Sequence, residues 1–458
     1  MKRISETTRY LSAHAALDHG FANNVIERSK RLCKAHEPNY GVDMGILLIE
    51  AKKSNEKFIK RNFLISIIAF SFAIIAFKDF GRWHWSFWDA APLLALSCLI
   101  SGIITFYYKI NSEKYVAGKF GDSRPYSFEG DYDSNEDNNN VVVYSGLNPF
   151  VGSGNNIGGW VLAIDLKKIN EPEKYVEFDG KEVEEAIIKS ISAIDIHKIF
   201  AYRTIFAEGK SIRGCSEILA NPIVRPAKHV GDAVVNAFLN RKGSIRTYCQ
   251  VRIHEWMDQL IVSILFRSFR IGDKLVIEAN YFVLHGLSKK YEYIDKIIGR
   301  KRFTELSSEF FACLFLGAFN VVISPLKTIM KILGAFGEYK EKSELEKEVK
   351  ENPLYDYGIK STMREEESSG VKSYFQMIDR IGIVKIVEKE ILSTIVNFLE
   401  ERGVDTSELK ERQTSILNNG IIISGGNVNA NGIVAGNNAS STIVEGARNL
   451  VGAGANSK

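Results

Sequence analysis

The residues with the strongest pattern for chemistry form one short run, Gly152-Ser153-Gly154-Asn155-Asn156-Ile157-Gly158-Gly159. Backbone amides freed of side chains can wrap a phosphate, so Gly152, Ser153, Gly154, Asn155, Asn156, Gly158 and Gly159 are the candidate ligand-binding residues, for a small molecule the sequence does not specify. The familiar phosphate templates do not fit them. A dinucleotide fingerprint starting at Gly152 needs glycine where Ile157 stands and a helix directly after it, and a Walker loop needs Gly-Lys-Ser/Thr, which is absent. The same residues also suit a structural β-turn loop. The run Asp131-Tyr132-Asp133-Ser134-Asn135-Glu136-Asp137 imitates a calcium loop through its alternating oxygens. Glu136 holds the glycine position and Val142 the position of the bidentate glutamate, so the run reads as solvated linker.

The eight histidines are dispersed along the chain, with no HExxH and no Gly-x-Ser-x-Gly elbow. His254-Glu255 falls in a predicted strand, where alternation sends the two side chains to opposite faces. His14, at near-helical spacing from Leu11 and Asp18, is expected in a hydrogen-bonded structural role. The cysteines Cys33, Cys98, Cys215, Cys249 and Cys313 are scattered and form no CxxC pair, which fits a reducing compartment. A net charge of +4 on 458 residues is too small to imply nucleic acid. No catalytic residue, metal or cofactor is assigned, and a non-enzymatic role is preferred.

The elements that must position these residues begin with two apolar stretches, 63 to 77 and 90 to 108, neither carrying a charge. A spanning helix needs about 20 mostly apolar residues, which the first stretch reaches when its flanks are counted. The connecting turn carries Trp83, Trp85 and Trp88 beside Arg82, the mixture of a membrane interface. Lys60, Arg61, Lys78, Arg82, Trp83, Trp85, Trp88 and Lys109 are the candidate interface residues. A core hairpin is the competing reading and has little use for that turn. Lys52, Lys53, Lys57, Lys60 and Arg61 precede the first stretch, and Lys109, Lys114 and Lys119 follow the second. By the positive-inside bias both termini are cytoplasmic. Residues 1 to 24 lack the apolar core of a cleavable signal, so the first stretch is expected to anchor the chain.

Helices are expected over Arg9 to Leu17, Phe21 to Cys33 and Met44 to Ile59, and a polar linker over Ser112 to Asn140. Strands are expected at Val141 to Tyr144, Trp160 to Leu166, Thr247 to Met257, Leu260 to Phe269 and Lys274 to Leu284, the last two joined by Arg270-Ile271-Gly272-Asp273. A helix over Glu182 to Ile194 lies among them. The fold class is α+β, with a mixed antiparallel-sheet domain. Six regions follow: helical 1–61, a transmembrane hairpin 62–108, linker 109–140, an α+β domain 141–337, a charged linker with C-terminal helices 338–417, and a Gly/Asn-rich tail 418–458.

Two segments leave alternatives open. Phe310 to Leu326 is a third apolar candidate, interrupted by Asn320 and Pro325 and continued by Lys327 and Lys331. That punctuation favours a core or interfacial helix over a third span. Ser373 to Arg402 keeps apolar residues at helical spacing and is expected to be the longest soluble helix. The tail separates short runs such as Ile421-Ile422-Ile423 by glycine and asparagine, which suits either stacked strands between identical chains or a flexible end.

Several segments together carry a resemblance: Arg9-Tyr10-Leu11 with Gly41-Val42-Asp43, Val143-Tyr144-Ser145-Gly146 with Pro149-Phe150-Val151-Gly152-Ser153-Gly154, Phe375-Gln376, and Asp405-Thr406-Ser407-Glu408-Leu409 through Arg412-Gln413-Thr414. In these the chain resembles an uncharacterised family of two-span bacterial membrane proteins, frequent in actinomycetes. The resemblance implies architecture and a bacterial source and brings no catalytic residues. The expectation is a bacterial inner-membrane protein whose cytoplasmic domain senses or scaffolds in a homo-oligomer, with action on the membrane as an effector. The alternative is a membrane-tethered nucleotide-binding receptor or enzyme using Gly152 to Gly159.

Overall fold

A computed structural model describes residues 4–78, 87–121, 139–196, 198–239, 241, 243–298 and 303–418. The tail 418–458 therefore lies almost wholly outside the described residues, as does the calcium-like run 131–137. In chain order the elements are α1 (Glu6–Leu17), α2 (His19–Lys30), α3 (Met44–Lys78), α4 (Phe87–Phe120), β1 (Val141–Tyr144), β2 (Asn155–Asp165), α5 (Gly180–Ser192), β3 (Ile199–Glu208) and α6 (Asp232–Phe238). There follow β4 (Ile245–Glu255), β5 (Leu260–Ile271), β6 (Lys274–Leu284), α7 (Tyr293–Ile298), α8 (Phe303–Glu351), α9 (Met363–Glu366), α10 (Tyr374–Glu401) and α11 (Ser407–Asn418). The class is α+β. The strands hydrogen-bond in the order β1-β3-β4-β5-β6-β2, a mixed sheet in which β1 runs parallel to β3 and β3 antiparallel to β4.

The chain divides into two units, one of residues 1–154, 195–265 and 283–377, the other of 155–194, 266–282 and 378–458. In the second, Asp179 and Glu182 form a capping box that starts α5. The face of α10 carrying Val384, Val387, Ile391 and Ile395 is buried, as its helical spacing predicts. Phe178 meets Phe398 edge-on with ring centroids 5.2 Å apart.

The first unit is organised by its N-terminal helices. Ser5 and Asp18 cap α1 and α2 by accepting from Thr8 N (3.1 Å) and Phe21 N (2.8 Å). Their apolar faces, with Leu11, Phe21 and Val25, close on Leu47 of α3 and on Tyr291 and Met363. The helix α4 continues twelve residues past Tyr108, where linker was expected, because Val116 and Phe120 bury themselves against Ala13, Ala16 and Ile294. Polar sequence hid this turn: Tyr115 and Lys119 look solvated but bind the buried Glu50 carboxylate at 2.9 and 2.7 Å. With Lys57 4.4 Å over the Tyr115 ring, these pairs run α3 and α4 antiparallel.

Beyond that end, α3 and α4 reverse the usual distribution of polarity. Phe63, Ile67, Phe70 and Ile74 of α3 and Leu94, Leu99, Ile103 and Tyr107 of α4 are exposed, while Asn62, Ser66, Ser97, Ser101 and Thr105 are buried. The apolar segment of α8 joins them. Phe311, Phe315 and Val322 are 66%, 70% and 74% exposed, so the expectation of a core helix at 310–326 does not hold. Nor does Pro325 end the helix, which runs unbroken for 49 residues. Three helices, over Met44–Ile75, Ala91–Phe120 and Thr304–Lys331, are thus long and apolar enough to cross a membrane.

The contacts of α8 fix its direction. A Cβ on Gly102 of α4 would stand 2.7 Å from Leu314 Cα, and one on Gly317 would stand 2.4 Å from the Cys98 carbonyl. Asn320 donates to Thr105 Oγ1 (3.1 Å), and further along Ser324 reaches Asn62 (3.4 Å) and Thr328 reaches Ser66 (3.1 Å). From Leu314 to Thr328 an α-helix advances about 21 Å. Over this stretch the close approaches and hydrogen bonds pass from residues 98 to 105 of α4 to residues 62 to 66 of α3. The helix α8 therefore packs on both members of the pair, first on α4 and then on α3. The glycines at the contact with α4 let the backbones meet.

Gly317→Leu is expected to lower the thermal stability of the detergent-solubilised chain by about 2 kcal/mol, the usual scale of overpacking. Gly334→Leu, where a Cβ meets nothing within 4 Å, is expected to leave the melting temperature unchanged or slightly raised.

Candidate functional site

The glycine-rich run is split by the fold. Gly152 and Gly154 lie in a turn with φ of +94° and +87°, and both amides donate to Glu365 Oε1, at 2.8 and 3.0 Å. Glu365 Oε2 accepts from Thr362 N at 2.9 Å, closing a second capping box at α9. The turn is an anion cradle whose anion is a carboxylate of the chain itself. Side chains are excluded by packing: a Cβ on Gly152 would meet Pro38 O at 2.7 Å, and one on Gly154 would meet Val283 O at 2.3 Å. Ser153 between them is buried. Asn155, Asn156, Gly158 and Gly159 belong instead to β2, where Asn156 accepts from Gly158 N (2.9 Å) and bare Gly159 lets the strand approach the Ala279 carbonyl. The seven residues thus do not form one continuous loop.

A polar cluster that sequence reasoning missed lies on one face of β3 and β4. Pairing of Phe200 with Arg252 and of Tyr202 with Gln250 puts Phe200, Tyr202 and Thr204 beside Gln250, Arg252 and His254. The alternation was legible as Gln250-x-Arg252-x-His254, but both faces of β4 are buried, which erased the polar-out signal. Thr204 donates to Gln250 Oε1 (3.0 Å), and the Arg252 guanidinium sits 3.8 Å from the centre of the Tyr40 ring.

At the end of that face, Asp258 is the hub. His254 Nδ1 shares a hydrogen bond with its Oδ1 at 2.8 Å and Lys198 donates to the same atom at 2.6 Å. Desolvation works to raise the Asp258 carboxyl, but these two partners outweigh it and hold it below the usual range. Desolvation likewise holds His254 below the ordinary histidine value. Arg364, fully buried, is pushed down by desolvation to about 10 and stays charged at neutral pH, with Asp258 its strongest electrostatic partner. Among the described residues, no acceptor reaches its three guanidinium nitrogens.

The turn that delivers Asp258 is strained. Trp256, Met257 and Asp258 are consecutive non-glycine residues with φ of +52°, +55° and +67°. The start of α1 pins them, with Glu6 N on Met257 O (3.2 Å) and Thr7 Oγ1 on Asp258 O (3.0 Å).

Comparison with known families now bears on this cluster. A profile described as an AbeC-like domain matches residues 159–429, more than half of the chain. The chain belongs to the AbeC-like domain family. No curated protein and no solved structure matches it. The AbeC-like region takes in β3 to β6, the Asp258 hub, Arg364 and the whole of α8.

Of the expected interface residues, Lys109 pairs with Glu309 at the start of α8 (3.5 Å), Lys60 is exposed, and Arg61 donates to Asn62 (3.2 Å). Lys78 is the last residue of α3 and Trp88 the second of α4. Arg82, Trp83 and Trp85 lie outside the described residues. His14 takes the structural role expected of it, 2.8 Å from the Tyr293 hydroxyl.

Histidines held below their ordinary value leave stability intact above about pH 6.5 and remove it as pH falls, because the unfolded chain then binds more protons. His254, His14 and His19 are all lowered. Stability is therefore expected to drop between pH 7 and 5, by at most about 1.4 kcal/mol per unit for each group, and His254→Gln should flatten that slope in melts across the range. Asp258, lowered as well, adds a further loss below about pH 4. Asp258→Asn is expected to cost about 3 kcal/mol at pH 7, since it removes the carboxylate that balances the buried Arg364.

Proposed function

We propose that the chain is a bacterial inner-membrane protein in which α3 and α4 span as a hairpin, with both termini cytoplasmic, and α8 lies in the plane of the cytoplasmic interface. One observation carries this reading: the exposed surface of three long helices is apolar while their contacts are lined by hydroxyls and amides, the distribution that lipid as solvent selects. The in-plane placement of α8 is supported by the passage of its contacts from α4 to α3. Polar side chains at both ends of its apolar stretch also reach toward the end of the hairpin that holds α1 and α2: Glu309 to Lys109, and Lys331 to Asn55 (2.9 Å). A membrane-spanning helix would send its two ends apart.

On the cytoplasmic side the α+β residues then sense or scaffold, without catalysis, in a homo-oligomer that acts on the membrane. The competing nucleotide-binding role draws no support from Gly152 and Gly154, whose amides are taken by Glu365.

The chain is expected to sediment with membranes, to resist alkaline extraction, and to enter solution only with detergent; release by alkali alone overturns the proposal. In a background without the native cysteines, Ser307→Cys and Lys347→Cys, before and after the apolar stretch of α8, are expected to react with an impermeant maleimide from the same membrane face. Labelling from opposite faces would make α8 a third span.

A further inference from the structure

Where α8 leaves the hairpin, two cations flank one aromatic ring and a third lies one turn away. Phe58 of α3 stacks on His19 of α2, centroids 3.5 Å apart and planes 9° from parallel. The Arg61 guanidinium lies 4.8 Å from the centre of the same ring and Lys327 Nζ lies 5.5 Å from it. Lys331, one turn further, is held over α3 by Asn55 at 2.9 Å. All three cations act electrostatically on His19, which burial and these neighbours together push down to about 4. The one carboxylate acting on that ring is Asp18, which is committed to capping α2. Among the described residues neither Arg61 nor Lys327 pairs with a carboxylate, and Arg61 Nε is buried with no acceptor. Holding Arg61 and Lys327 close together without a paired carboxylate costs free energy that a bound anion would offset.

The cluster sits at the water end of the apolar surface. Directly beyond it Phe63 and Ile67 of α3 and Leu326, Ile329 and Met330 of α8 are exposed. Cations bordering an exposed apolar surface match an amphiphile whose charge and acyl chains are joined, and a basic pocket between helices at the cytoplasmic interface is suited to a phosphate headgroup. Resting on the membrane reading above, we infer that Arg61, Lys327 and Lys331 form a binding site for the headgroup phosphate of an anionic phospholipid, which docks α8 against the hairpin in the interface plane. The cations bind the phosphate oxygens, and the acyl chains lie along the exposed faces of α3 and α8.

The full chain, purified in uncharged detergent, is to be melted with added phosphatidylglycerol, phosphatidylcholine or inorganic phosphate. Phosphatidylglycerol is expected to raise the melting temperature by several degrees, with little response to the other two. Lys327→Gln with Lys331→Gln should weaken the apparent affinity about fivefold for each lysine removed, since each basic residue near an anionic surface contributes about that factor. Lys340→Gln with Lys347→Gln, changed in the charged end of the same helix, should respond as the unaltered chain does. Equal stabilisation by phosphatidylcholine overturns the site, as does an unchanged phosphatidylglycerol response in the Lys327/Lys331 variant. Stabilisation by inorganic phosphate alone overturns its assignment to lipid. The Lys327/Lys331 variant should still sediment with membranes, so loss of lipid selectivity and failure of the membrane reading give different results.

Discussion

The first unit rests on a mismatch between its three long helices and water. An apolar surface carrying Phe63, Phe70, Ile103, Phe311, Phe315 and Val322 would be costly to hydrate, while the groups hidden between the helices are Asn62, Ser66, Ser101, Thr105 and Ser324. Inside an apolar solvent both features become favourable. The hidden hydroxyls are largely satisfied within their own helices, as when Ser66, Thr105 and Thr328 donate to the carbonyls of Asn62, Ser101 and Ser324. What remains between helices is a few bonds of modest worth, so the close approach at Gly102 and Gly317 carries much of the packing. Beyond it, Ser324, Thr328 and Lys331 take their partners from α3.

Away from the apolar surface, carboxylates tie segments distant in sequence to one another. Glu365 collects Gly152, Gly154 and Thr362; Glu50 collects Tyr115 and Lys119; Asp258 collects His254 and Lys198 and balances Arg364. Each is a charge-assisted contact inside the protein, where losing one partner costs more than the contact itself contributes. The three αL residues before Gln259 make the same point for the backbone. Their conformation is unfavourable locally and persists because α1 binds both carbonyls that the turn presents.

Much of this fold was legible. The charge-free runs 63 to 77 and 90 to 108 announced long apolar helices by composition alone, and Arg270-Ile271-Gly272-Asp273 placed the turn between β5 and β6, where Gly272 takes a φ of +58°. Other elements were hidden for identifiable reasons. The strand β3 carries Tyr202, Arg203 and Thr204 in its middle, which breaks the apolar run although all three sit in the sheet. The apolar stretch 310–326 and the charged stretch after 338 were read as separate segments, yet α8 runs through both and through Pro325. The amides of Gly152 and Gly154 were read as free to wrap a ligand anion, and both donate to a carboxylate of the chain. Their partner Glu365 lies more than two hundred residues away, which no local pattern encodes. The Asp258 hub likewise needs Lys198, His254 and Arg364 from three separate segments.

The helix α3 links these two regimes physically. Its 35 residues extend about 52 Å. Its first turns bury Leu47 and Ala51 in the water-side core with Leu11, Phe21 and Met363, and its later turns carry the apolar surface on which α8 lies. Met363 precedes Arg364 directly, and Thr8, next to the residue that pins the strained turn, accepts from Asp43 N at 2.9 Å just before α3 begins. A reorientation of α3 must therefore either disturb the packing around Leu47 and Met363 or carry α1 and α9 with it. Closely packed cores yield by switching between discrete arrangements rather than by bending. The strained turn at Trp256 to Asp258, held by Glu6 N and Thr7 Oγ1, ties this core to the start of α1.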